Sequence, residues 1–117
     1  MSSLDLIGRV EAAELDPGTY VVSVHGPIDA RMAGELRDVV LRLAAADGTV
    51  LVLDLDDAHG LDFETLSVLG IAAHLVKRRG ESLRIVTRSL LTRELFGESG
   101  MKDVVVISSS LREALVA

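Results

Sequence analysis

The sequence predicts an α/β fold. A small mixed β-sheet is packed by α-helices in the order β-β-α-β-α-β-α-β-α, within a single domain of residues 1–117. Three observations predict it. Short β-rich apolar runs alternate with segments whose apolar residues recur at helical spacing. The helical segments open on capping residues and close on glycine or basic residues. Right-handed crossovers would then make every strand after an opening hairpin parallel to its neighbours.

Residues 6–14 alternate weakly, as an edge strand does, and Asp16-Pro17-Gly18 is a turn signal. Tyr20 to Val24 is β-rich, so residues 6–25 read as a hairpin that Gly26-Pro27 breaks. Asp29 can N-cap a helix over residues 30–46, where Met32, Leu36, Val39, Val40 and Leu43 form one apolar stripe and Asp47-Gly48 supplies the stop. Residues 49–55 open on an unbroken apolar run, the mark of a strand covered on both faces. The loop Ala58-His59-Gly60-Leu61 leads to Asp62, a second N-cap, and to a helix over residues 63–79. Lys77, Arg78 and Arg79 fill its last turn, and Gly80 supplies the left-handed residue after it. Residues 82–87 form a strand, 89–96 a short helix ended by Gly97, and 104–107 a strand. Ser110-Leu111-Arg112-Glu113 is a capping box for a last helix.

The composition excludes several functions. The chain carries 18 acidic and 12 basic residues, one tyrosine, two phenylalanines and no tryptophan. Nucleic-acid binding needs a basic face and often stacking aromatics, so no nucleic acid is expected. There is no cysteine for a disulfide or a thiolate. The N-terminus is not a signal peptide, and no apolar run would span a bilayer, which predicts a cytoplasmic domain with no direct membrane insertion.

No cofactor or metal is expected. His25, His59 and His74 lack ligand spacing, and there is neither a P-loop nor a dinucleotide fingerprint. Gly97-Glu98-Ser99-Gly100 lacks the spacing and the preceding strand of a nucleophile elbow. Asp54, Asp56 and Asp57 suggest a phosphoryl-accepting site. That chemistry needs acids on a second strand and a lysine from a third, and neither is offered; these acids read as solvating a strand end. The chain is therefore read as a non-enzyme. The residual signal lies where the central strand hands over to the helix at Asp62, since open α/β sheets place sites at the C-terminal ends of their strands.

The landmarks resemble those of the STAS domain family, whose fold is that of bacterial anti-sigma-factor antagonists. Gly26-Pro27-Ile28-Asp29 is similar to the family's Gly-x-Leu/Ile-Asp, and Leu51 to Leu55 is similar to its central strand. Leu61-Asp62-Phe63-Glu64-Thr65-Leu66 stands where the family has a hydrophobic residue, Asp, Ser, Ser/Thr, Gly and a hydrophobic residue. Arg79-Gly80, Leu83 to Val86, Gly100 to Asp103 and Ser110 to Leu115 match its later landmarks.

The resemblance implies a regulatory protein-binding domain. Its partner would be an anti-sigma-factor serine kinase, bound around the loop before the second helix and phosphorylating the second residue after the Asp. The rival implication is a STAS component of a lipid-transport complex or stress-sensing scaffold. Asp29, Asp62, Phe63, Glu64 and Thr65 are the expected contact residues. Glu64 occupies the phospho-acceptor place and Thr65 the usual glycine place. The switch is then lost, shifted to Thr65, or fixed by a carboxylate that partly imitates phosphate. Equally, Glu64 can be a first-turn acid that the helix dipole favours. Phe63 reads either as an interface anchor or as a residue folded back onto the sheet.

The helix of residues 63–79 also has a second apolar arc. Beside the core face of Leu66, Leu69, Ala73 and Val76 it carries Val68, Ile71, Ala72 and Leu75. A helix wedged between the sheet and a neighbouring helix accounts for this arc. A face for a partner or a second copy of the chain, a possible homodimer with Val68 in the contact, is the alternative.

Overall fold

The computed structural model describes residues 9–46 and 49–116. Among them the elements follow the expected order: β1 Arg9–Asp16, β2 Thr19–Pro27, α1 Ala30–Ala44, β3 Val50–His59, α2 Phe63–Lys77, β4 Leu83–Val86, α3 Leu90–Glu98, β5 Val105–Ser108 and α4 Leu111–Val116. The strands lie in one sheet of order β1-β2-β3-β4-β5. β1 runs antiparallel to β2, and the remaining neighbours are parallel. The sheet is thus mixed, as the crossover rule requires.

Three helices share one face. Met32, Leu36 and Val40 of α1, Leu66, Leu69, Ala73 and Val76 of α2, and Phe96 of α3 pack on Val22, Val24, Leu51, Leu53 and Ile85 of the sheet. A parallel sheet that grows in one direction by right-handed crossovers sends every crossover helix to the same side. The opposite face carries Val21, Val52 and Val86, covered by Ala114 of α4. Arg84, on the same face as Val86, donates through its guanidinium to Ala114 O at 2.7 Å. β3 is therefore covered on both faces, as its apolar start predicts.

β2 and β3 are longer than their sequences suggest. Gly26-Pro27 does not break β2, and Ala58-His59 is strand rather than loop, because pairing continues to Pro27 opposite His59. A register shift between Ser23 and His25 places an extra β3 residue against β2, and the strand carries on past it. Pro27 takes the last strand position, where its missing N–H costs nothing, and Ile28 N–H donates to His59 O at 2.8 Å. The three acids are tied to neighbours as well as to solvent. Asp54 Oδ1 accepts from Asp56 N–H at 3.1 Å, and Asp57 Oδ2 lies 3.3 Å from His25 Nδ1. Asp56 accepts from the Arg88 backbone N–H at 2.8 Å and from its Nε at 2.9 Å, which holds the Asp56 carboxyl below its usual range.

The helix ends follow the cap chemistry with three adjustments, the first being that α2 closes at Lys77 rather than at 79, with Arg78 as its C-cap. After α2, Gly80 takes φ 84°, Glu81 N–H donates to Val76 O and Gly80 N–H to Lys77 O, the paired bonds of a Schellman motif. α3 passes through Gly97, and Gly100 at φ 79° ends it by the same pair of bonds, to Phe96 O and Gly97 O. Gly97 is therefore not the stop. α1 closes at Ala44 rather than 46, where Arg79 of the α2 terminus donates to Ala44 O and Ala46 O. In α4, Glu113 N–H donates to Ser110 Oγ, while Glu113 Oε2 accepts from Ser109 N–H. The expected strand residues 6–8 and the Asp47-Gly48 stop lie outside the described residues.

Candidate partner-binding site

The long β2–β3 pairing sets the site. Because both strands end side by side at Pro27 and His59, and short loops follow each, α1 and α2 begin next to one another. Each helix is capped by an aspartate in extended backbone. Asp29 Oδ1 accepts from Met32 N–H and Asp62 Oδ1 from Thr65 N–H, each at 2.8 Å. Gly60, at φ 78°, turns the chain between β3 and Asp62. The Thr65 hydroxyl and backbone N–H lie beside the Asp62 carboxyl and hold it below its usual range, although only the N–H forms a bond of full geometry.

Between the two helix starts lies a cleft of about 280 Å³, lined by Ile28, Asp29, Ala33, Arg37, Asp62, Glu64 and Val68, with Thr65 beneath. Three carboxylates and one guanidinium face it, so its balance is acidic. Glu64 stands exposed in the first turn of α2 and makes no ion pair among the described residues. Such a cleft suits a lysine or arginine side chain of a partner.

The sequence-derived site residues separate into three environments. Asp29, Asp62, Glu64 and half-buried Val68 line the cleft. Phe63 is 81% exposed on the other flank of α2 and does not fold back onto the sheet. It borders an apolar groove of about 380 Å³ whose walls include Leu66, Gly70, Ile71, His74 and Met101. Thr65 is only 2% exposed. Its position in the helix puts it in phase with buried Leu69, Ala72 and Val76, so it offers neither a surface contact nor an acceptor a kinase could reach without opening the first turn. The second apolar arc divides likewise. Ala72 is buried and Leu75 packs on the core, as a wedged helix requires, while Ile71 is 54% exposed.

Arg37 and the pair Leu90-Leu91 were not singled out from the sequence. Arg37 follows Ala33 by one turn on the α1 flank that faces α2. Leu90 and Leu91, 75% and 67% exposed, stand just after the Ser89 N-cap, and Leu91 borders a depression with Leu61 at the C-terminal end of β3. An apolar pair in a first turn, out of phase with buried Phe96, was the available signal. Among the described residues no group of three or more His, Cys, Asp or Glu could hold a metal, and no helix is long and apolar enough to cross a membrane.

The model of the STAS domain family matches residues 12–114. The chain belongs to the STAS domain family. It is 33% identical over 88 residues to the anti-sigma-B factor antagonist of Bacillus subtilis (strain 168), covering 75% of this chain and 80% of that one. The crystal structure of an anti-sigma factor antagonist from Mycobacterium paratuberculosis superposes with a TM-score of 0.80 at 25% identity, over 99% of this chain and 97% of that one. The Bacillus cell fate determinant SpoIIAA in its phosphorylated form shares the fold, with a TM-score of 0.74 at 12% identity over 92% and 97% of the two chains. This chain is an anti-sigma factor antagonist-like STAS domain with bacterial relatives.

Proposed function

We propose that this STAS domain acts by protein binding, capturing a cognate anti-sigma-factor kinase at the cleft where α1 and α2 begin. The observation that carries the reading is the pair of aspartate caps, Asp29 and Asp62, flanking an exposed Glu64 in an acidic cleft. The relatives named above support the class of partner. Glu64 stands in the phospho-acceptor place. A phosphate there would carry nearly two charges and three acceptor oxygens, a carboxylate one charge and two oxygens. A protein held permanently in the released state has little use, so the partner meets Glu64 with a lysine or arginine.

The test is the affinity of wild type and Glu64→Ser for the partner recovered from the native host, at two salt concentrations. Removing the carboxylate is expected to loosen binding about tenfold, the order of one lost charge pair. Added salt should shrink that difference. Tighter binding by Glu64→Ser would instead mean that Glu64 imitates the phosphorylated state. No change would reduce Glu64 to a helix-end charge. A second reading is a component of a larger STAS assembly, such as a lipid-transport complex or stress-sensing scaffold. It is favoured by Glu64 standing in the phospho-acceptor place, where no hydroxyl is present, and by the burial of the neighbouring Thr65 hydroxyl. Recovery of transporter or scaffold subunits instead of a kinase would establish it.

A further inference from the structure

The outward face of α2 shares Glu64 with the cleft but carries apolar features that the cleft does not use. Phe63 and Ile71 are exposed at 81% and 54%, two turns apart. Between them run Ser67 and Gly70, small residues that let another backbone come close, and the apolar groove continues past Gly70 to Met101. The charges are polarised along the helix, with Glu64 in the first turn and Lys77 and Arg78 at the end. Among the described residues none of these three makes an ion pair. A helix acidic at its start and basic at its end, with an apolar middle, is complementary to itself when reversed.

From this self-complementarity we infer that α2 is a homodimer interface, packed antiparallel on α2 of a second copy. A two-fold axis beside Ile71 places that side chain against its own equivalent. Glu64 then faces the partner's Arg78, and Phe63 lies along the stem and ammonium of the partner's Lys77, a cation–π arrangement. The helix dipoles run antiparallel, with the acidic first turn of each against the basic last turn of the other. A single helix pair is a small interface, so the dimer is weak and dependent on concentration. Because it covers Glu64, the dimer and the partner complex exclude one another; this last consequence alone rests on the function proposed above.

Sedimentation equilibrium of the full chain tests the inference without any other protein. Wild type is expected to pass from monomer to dimer with rising concentration, less readily in high salt. Ile71→Asp should weaken the dimer at least about tenfold, as loss of a central apolar contact does. Glu64→Arg and Arg78→Glu should each weaken it, and the double variant should restore it, which a merely structural effect would not do. Circular dichroism on each variant confirms that the fold is kept. A chain that stays monomeric throughout, or a dimer indifferent to Ile71→Asp and to the charge exchange, overturns the inference and leaves the face to a different protein. Either result leaves the antagonist reading standing, since that reading is decided by partner affinity.

Discussion

Asp62 and Asp29 do the same local job, and that is why both were legible in the sequence. A cap needs only its own carboxylate and the N–H three residues on, so no tertiary information is required. Thr65 shows the opposite case: its burial depends on the phase of α2 against the sheet, and a residue in a first turn can fall on either side of that line. The lowered carboxyls of Asp56 and Asp62 give a pH signature. Their ordinary value is about 3.9. Stability from a depressed folded value is present above the unfolded one and is lost as pH falls through the lowered folded value. Wild type should therefore lose stability as pH falls below about 4. Asp62→Asn keeps a good cap but cannot titrate, so it should unfold within a few tenths of a kcal/mol of wild type near neutrality. Its thermal midpoint should also fall less steeply in acid. Asp62→Ala should cost about 1 kcal/mol at neutral pH. An acid limb unchanged in Asp62→Asn would assign the whole signature to Asp56 and other carboxylates.

At the scale of the element, α2 meets three surroundings at once: the sheet beneath it, the acidic cleft toward α1, and the open groove toward the end of α3. The sequence showed its ends and its excess of apolar residues, but a helical pattern alone cannot say which arc meets a neighbour and which meets solvent. The extent of β3, Val50–His59 and not 49–55, is hidden in the sequence for a related reason. Asp54, Asp56 and Asp57 interrupt the apolar run, and only the bulge opposite β2 and the Arg88 and His25 partners explain how a strand carries them. Those partners lie more than thirty residues away in the chain. Val68 offers a test of the cleft flank. It is half-buried beside Asp29 and Glu64, so Val68→Arg would fill the cleft and present a cation to the same carboxylates. The expected result is a fold stable to within about 1 kcal/mol and a clear loss of affinity for the recovered partner. Unchanged affinity would move the contact off this flank of α2.

Across the whole molecule, the sequential sheet concentrates three helices and most of the core on one side, leaving α4 alone on the other. Element order was readable from periodicity and caps, and one crossover handedness puts α1, α2 and α3 on a common side; it places α4 on neither side, because no strand follows it among the described residues. With so few aromatics, the two phenylalanines divide the labour of this architecture between them. Phe96 is fully buried where α3 meets the common core, and Phe63 stands almost free at the start of α2. Sequence composition treats them alike; the fold makes their substitutions opposite in effect. Phe96→Ala removes a ring from a close-packed site and should cost about 3–5 kcal/mol. Domains of this kind have about 5–15 kcal/mol in all, so the variant should approach the limit of folding. Phe63→Ala should change stability by no more than about 0.5 kcal/mol, as a surface substitution does. It should nonetheless weaken association through the outer face of α2. Urea titration of the two variants beside sedimentation of Phe63→Ala separates the roles. A large loss of stability in Phe63→Ala would show that its ring packs on the body of the domain in solution, and the groove beside it would then belong to the core and not to a partner.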